Sequence, residues 1–99
     1  MVLIRRELGD VLRERRREQQ RSLRDLSAAS AVSLGYLSEI ERGEKEASSE
    51  LLGSICDALG LPLSTVLHEV ADRVARAEGL ATPVTLPVPA RAEVSASAA

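Results

Sequence analysis

The densest chemistry in this 99-residue chain is a run of charge, Arg13-Glu14-Arg15-Arg16-Arg17-Glu18. Guanidinium groups along one face can hold phosphate oxygens, a task that needs Lys or Arg but no particular order. The same run can be a solvated helix face, with Glu14 and Glu18 paired to neighbouring arginines. Both possibilities stand for Arg13, Arg16 and Arg17. Other reactive groups are scarce. There is one histidine, His68, and one cysteine, Cys56. They fall in different segments, so neither a metal-ligand pair nor a nucleophile–base set can be assembled. Cys56 lies on an apolar stripe with no basic cluster to lower its pKa, which marks it as a buried structural thiol. We therefore expect no catalytic residue, no metal and no cofactor. The chain is read as a binding protein.

Net charge is −2, but it is unevenly spread. Residues 1–45 hold ten Lys/Arg against eight Asp/Glu, and residues 46–99 hold three against seven. A polyanionic partner would meet the first half. A lone cysteine excludes an internal disulfide and fits a reducing cytoplasm. The start, MVLIRRELGD, turns charged too early for a signal peptide, and no apolar run approaches transmembrane length. The expected location is cytoplasmic, without a membrane partner.

The elements that must position these groups are helices. Phe and Trp are absent and there is one Tyr, so the core must be aliphatic. No β-branched alternation precedes residue 82, and an all-α fold is expected. A first helix spans about residues 3–20, with Leu8, Val11 and Leu12 inward and Leu3 and Ile4 extending that stripe. Ser22 caps a second helix, about Leu23 to Ala29, with Asp25 completing a capping box. Ser33 caps a third, about Leu34 to Arg42, which Gly43 ends. Leu23, Leu26, Val32, Leu37 and Ile40 turn two stripes towards one core. Ser27, Ala28, Ser30 and Ala31 supply small side chains where these helices cross. Ser48 or Ser49 caps a fourth helix with Leu51, Leu52, Ile55, Cys56 and Leu59 inward, up to Gly60. Pro62 starts a fifth, about Leu63 to Glu78.

The stretch SLRDLSAASAVSLGYLSEIERG, residues 22–43, resembles the helix-turn-helix of the XRE (Cro/C1-type) family of DNA-binding regulators, and YLSEIERG carries most of the likeness. SLGYLSEIERG followed by KEASSELL is most similar to the actinobacterial regulators of Clp protease genes. The resemblance, which covers roughly residues 8–67, implies a lambda-repressor-like, five-helix all-α fold, with the helix-turn-helix DNA-binding domain over residues 1–62, the fifth helix following at 63–78, and the third helix in a major groove. Carried over residue by residue, it implies that Leu34, Gly35, Ser38 and Glu39 face base edges. Tyr36 and Arg42 lie nearer the backbone, and Arg24, Ser33 and Lys45 complete the DNA-binding set. Glu39 can accept from a cytosine amino group, Ser38 can donate or accept, and Leu34 can pack on a thymine methyl. Glu39 can instead pair with Arg42. Glu41 is expected to hold a helix end. Two departures stand out: Ala31 replaces the usual turn glycine, and Leu23 replaces a phosphate-touching glutamine, leaving that task to Arg24.

The stripe of the fifth helix (63–78) is longer than so small a core can cover. Val66, Val70 and Val74 are therefore expected to meet a second copy, giving a homodimer on a palindromic operator. Residues 79–99 have the composition of a disordered tail. Its end, Ala98-Ala99, resembles a degradation signal for Clp protease. The resemblance further implies activation of protease and chaperone genes with RNA polymerase as a partner. An antitoxin-like or adaptor module on the same fold is the alternative, kept open by the acidic second half.

Overall fold

The computed structural model describes residues 1–79. It contains five helices and, among these residues, no strand. They are α1 (Ile4–Glu18), α2 (Leu23–Ser30), α3 (Leu34–Glu41), α4 (Ser49–Leu59) and α5 (Leu63–Ala77). The expected side-chain caps form. Ser22 Oγ accepts from Asp25 N–H at 3.0 Å, and the Asp25 carboxylate accepts from Ser22 N–H at 3.0 Å. Hydrogen bonding from the Ser22 backbone N–H, and then from its side chain, holds the Asp25 carboxyl below its ordinary pKa. This part of the α2 cap is therefore present at neutral pH and lost as pH falls through the lowered value. Ser33 and Ser48 accept from Tyr36 N–H and Leu51 N–H. Gly43 and Gly60 adopt φ +75° and +69° where α3 and α4 end.

α1 is the central rod. It packs on α3 along one side and on α5 along another, while α2 packs on α3 and α4. Val11, Leu12, Leu26, Val32, Leu37, Ile40, Ile55, Cys56, Leu59, Val66 and Val70 form one buried core. Burying each leucine or isoleucine contributes roughly 1.5–3 kcal/mol. Burial also raises the pKa of the Cys56 thiol, which is inert packing as expected.

Three expectations need correction. Val66 and Val70 are 0% and 7% exposed, and Val74 packs against the same core. Val66 and Val70 hold α5 to its own α1 and are too buried to form a dimer face; Val74, partly buried, packs beside them. Ile4 is 67% exposed, so the inward stripe of α1 does not extend back to it. Glu14 does not pair along its own helix. It joins Glu7 and Asp10 in accepting from the Arg73 guanidinium of α5, at 3.0–3.1 Å. Arg15 pairs across to Glu69 of α5 as well. The apolar seam between α1 and α5 is thus rimmed by ion pairs.

α1 ends where its next residues are drawn to another helix. Gln19 Nε2 donates to Leu59 O at 2.7 Å, and Arg21 donates to Ala58 O, so both serve the carbonyl end of α4. Gln20 between them is left-handed at φ +57°. Ala98 and Ala99, and the tail from residue 80, lie outside the described residues.

Gly9 marks the tightest crossing. A Cβ there would stand 2.4 Å from Ile40 O and 2.7 Å from Glu41 O, both backbone atoms of α3. Gly53, inside α4, has nothing within 4 Å of such a Cβ. Gly9→Ala should therefore destabilise by about 1–3 kcal/mol through overpacking. Gly53→Ala should stabilise by up to about 1 kcal/mol of helix propensity. Urea melts of the two variants should shift in opposite directions.

Candidate nucleic-acid interface

α2 and α3 meet through a turn at Ala31, which is left-handed with φ 60° and ψ 23°. Alanine there costs on the order of 1 kcal/mol relative to glycine. The turn is closed by hydroxyls. Ser30 Oγ donates to Leu26 O at 2.7 Å and accepts from Val32 N–H at 3.3 Å, and Ser27 Oγ donates to Val32 O. Ala28 and Ala31 face solvent, so the crossing is filled by the two serines.

α3 has two faces. Leu37, Ile40 and Glu41 are buried. Leu34, Gly35 and Arg42 are exposed, with Ser38 and Glu39 half-exposed beside them. Positions 35, 38, 39 and 42 form one outward stripe. Gly35 has open space where a side chain would stand.

The inner face is held by charge. Glu41 is 3% exposed and receives Arg16 Nε and Nη2 at 2.8 and 2.9 Å, a bidentate fork. Arg16 also donates Nη1 to Arg21 O at 2.8 Å. The Glu41 hydrogen bonds raise the Arg16 pKa despite desolvation, so this guanidinium stays charged. Arg16 is 8% exposed. It therefore cannot position phosphate: every edge it offers is spent inside the protein. Glu41 fixes a helix end as expected, through a partner on α1.

The remaining candidates lie at the surface. Arg17, Arg24, Lys45 and Ser33 are exposed. Arg13 is half-exposed and donates to Asp10 at 2.9 Å. Arg6, Asp10 and Arg13 line an open groove with Glu41, Arg42 and Glu44, which sets the arginine face of α1 beside the end of α3. Arg42 does not pair with Glu39; it donates to Glu44 and to Ser38. Glu39 has no ion-pair partner among the described residues. Tyr36 Oη donates to Glu46 O at 2.9 Å and pins the loop after α3.

A family model described as a helix-turn-helix domain matches residues 7–69. The transcriptional regulator ClgR of Mycobacterium tuberculosis is 60% identical over 80 residues, covering 81% of this chain and 71% of that protein. The chain belongs to the ClgR family of helix-turn-helix transcriptional regulators. It is accordingly a DNA-binding regulator and not an enzyme.

The crystal structure of the clp gene regulator ClgR from Corynebacterium glutamicum superposes with a TM-score of 0.75 at 50% identity, covering 79% of this chain and 83% of that one. The restriction-modification controller protein C.Esp1396I, solved as a tetramer with its operator, matches at 20% identity and a TM-score of 0.63 over 72% of this chain and 99% of that one. That likeness is one of fold alone. No single helix among the described residues is long and apolar enough to cross a membrane.

Arg6 and Gly9 are the site-shaping residues that the sequence left unmarked; it marks Ser27 and Ser30 as small side chains, not as the hydroxyls that close the turn. Only the Arg5-Arg6 pair gave any signal, as charge ahead of the main run. The buried fork yields a sharp expectation. Glu41→Ala should cost about 3–5 kcal/mol, because Arg16 is left charged and unpaired. Arg16→Met combined with Glu41→Leu should recover most of that loss in denaturant titrations.

Proposed function

We propose that this protein activates transcription of Clp protease and chaperone genes from the cytoplasm, binding palindromic operators as a two-fold dimer with α3 in the major groove. The observation that carries the choice of genes is 50% identity to the clp gene regulator of C. glutamicum. Groove entry is supported by the outward stripe of α3 and the fixed inner face behind it. Glu39, whose carboxylate lacks an internal ion pair, is the residue that accepts from a cytosine N4 amino group. Arg13, Arg17, Arg24 and Lys45 position phosphate, and Ser33, Tyr36 and Arg42 flank the groove contact. The acidic second half kept a DNA-free adaptor open as the alternative, but relatives at 60% identity are transcriptional regulators.

The dimer face moves with the correction to α5. Leu63 and Leu67 are 43% and 50% exposed and lie one turn apart. They are the large apolar side chains that α5 leaves uncovered. A two-fold dimer places its reading helices about 34 Å apart, one turn of the duplex.

Mobility-shift assays and transcript measurements test the function. Fragments upstream of clp genes should bind with a steep salt dependence, and their transcripts should fall when the regulator is deleted. Transcripts that rise instead would make it a repressor; no binding at low salt would overturn the proposal. Glu39→Ala should relax preference at one base pair per half-site by about 1–3 kcal/mol.

Leu63→Glu with Leu67→Glu should give folded monomers in analytical ultracentrifugation. A variant that still dimerises would place the interface elsewhere.

A further inference from the structure

Three polar side chains on the outer face of α3 form a relay that runs one way. Glu44, just past the helix, accepts from Arg42 Nε and Nη2 at 3.0 Å each. Arg42 directs its Nη1 back one turn to Ser38 Oγ. Ser38 thus accepts, and among the described residues no acceptor receives its own hydroxyl hydrogen. A helical serine commonly gives that hydrogen to the carbonyl one turn behind; Ser38 does not. The Glu44 hydrogen bonds raise the Arg42 pKa, and Arg42 lowers that of Glu44, so both keep their charges at neutral pH.

A hydroxyl alone is ambivalent, whereas arginine has five donors and no acceptor. A serine facing a clamped guanidinium must offer it a lone pair, and its hydrogen then points elsewhere. Resting on the placement of α3 in the major groove, we propose that Ser38 is a specificity-determining residue that donates to an acceptor on a base edge. Arg42 and Glu44 are the positioning residues that set its polarity. Guanine O6 and N7, adenine N7 and thymine O4 qualify as partners. Cytosine, which shows only its amino donor there, is disfavoured, because Arg42 already takes one of the two Ser38 lone pairs and its charge opposes a second donor. Glu39, the next residue, is acceptor-only and has the opposite requirement. Neighbouring side chains would then demand base edges of opposite sense.

The simpler role for Glu44 is a surface charge facing phosphates. Arg42 and Glu44 side chains are 51% and 54% exposed, so the test must read preference and not strength alone. Selection from a random duplex pool is run at one salt concentration with the wild type, Ser38→Ala, Ser38→Thr, Glu44→Gln and the Ser38→Ala/Glu44→Gln pair. The wild type should yield a half-site with cytosine disfavoured at one contacted position. Ser38→Ala should lose about 2- to 10-fold of discrimination there, the worth of one hydrogen bond, and nowhere else. Ser38→Thr, which keeps the hydroxyl, should retain it. Glu44→Gln should relax the same position even as removing a negative charge tightens binding to every sequence. The pair should lose no more than Ser38→Ala alone. Glu44→Gln that tightens binding with every preference intact would overturn the relay, as would Ser38→Ala with an unchanged half-site. A wild type that selects no site at all would overturn the placement of α3 itself, a different failure.

Discussion

The buried fork between Arg16 and Glu41 is the constraint on which the rest depends. It joins the last turn of α1 to the end of α3 at 2.8–2.9 Å. Both groups are almost fully desolvated, so each is tolerable only because the other is there. Arg16 also holds Arg21 O, at the entry to α2. One side chain therefore sets where α2 starts and where α3 ends. A DNA-reading helix must be held within a fraction of an ångström by rigid neighbours. Here the rigidity comes from α1, through the charge pair and through the close approach of Gly9 to the α3 backbone.

Around that joint the molecule uses charge mostly for itself. Arg5 donates to Gly43 O at 2.9 Å, Arg15 pairs with Glu69, Arg21 serves the end of α4, and Arg73 gathers three carboxylates of α1. The half-exposed pairs are screened, and singly each contributes little. Their collective effect is to fix register along the seam between α1 and α5, whose apolar part is Val66, Val70 and Val74. The guanidinium groups left for DNA are correspondingly few. This explains how a chain of net charge −2 can bind a polyanion: the distribution of unspent cations matters, not the sum.

The outer face of α3 is built on different terms. Its side chains are polar, partly exposed and clamped to one another rather than to the core. Glu41 and Glu44, three residues apart, illustrate the contrast. One is buried and belongs to the fold; the other is at the surface beside the reading face.

Local patterns in the sequence determined the five helices, the serine caps of α2, α3 and α4, and the glycine stops. Each is decided by residues within four or five positions along the chain, so periodicity and cap chemistry suffice. The helix-turn-helix likeness was legible for the same reason: its residues are contiguous. What the tertiary structure alone decided were contacts between residues far apart in sequence. An arginine run does not say which member turns inward, and Arg16 does so because Glu41 waits across the α1–α3 crossing. Val66 and Val70 of α5 read as a dimer face until α1 covers them. Gly9 looks like an ordinary helical glycine until the carbonyls of Ile40 and Glu41 stand where its Cβ would be.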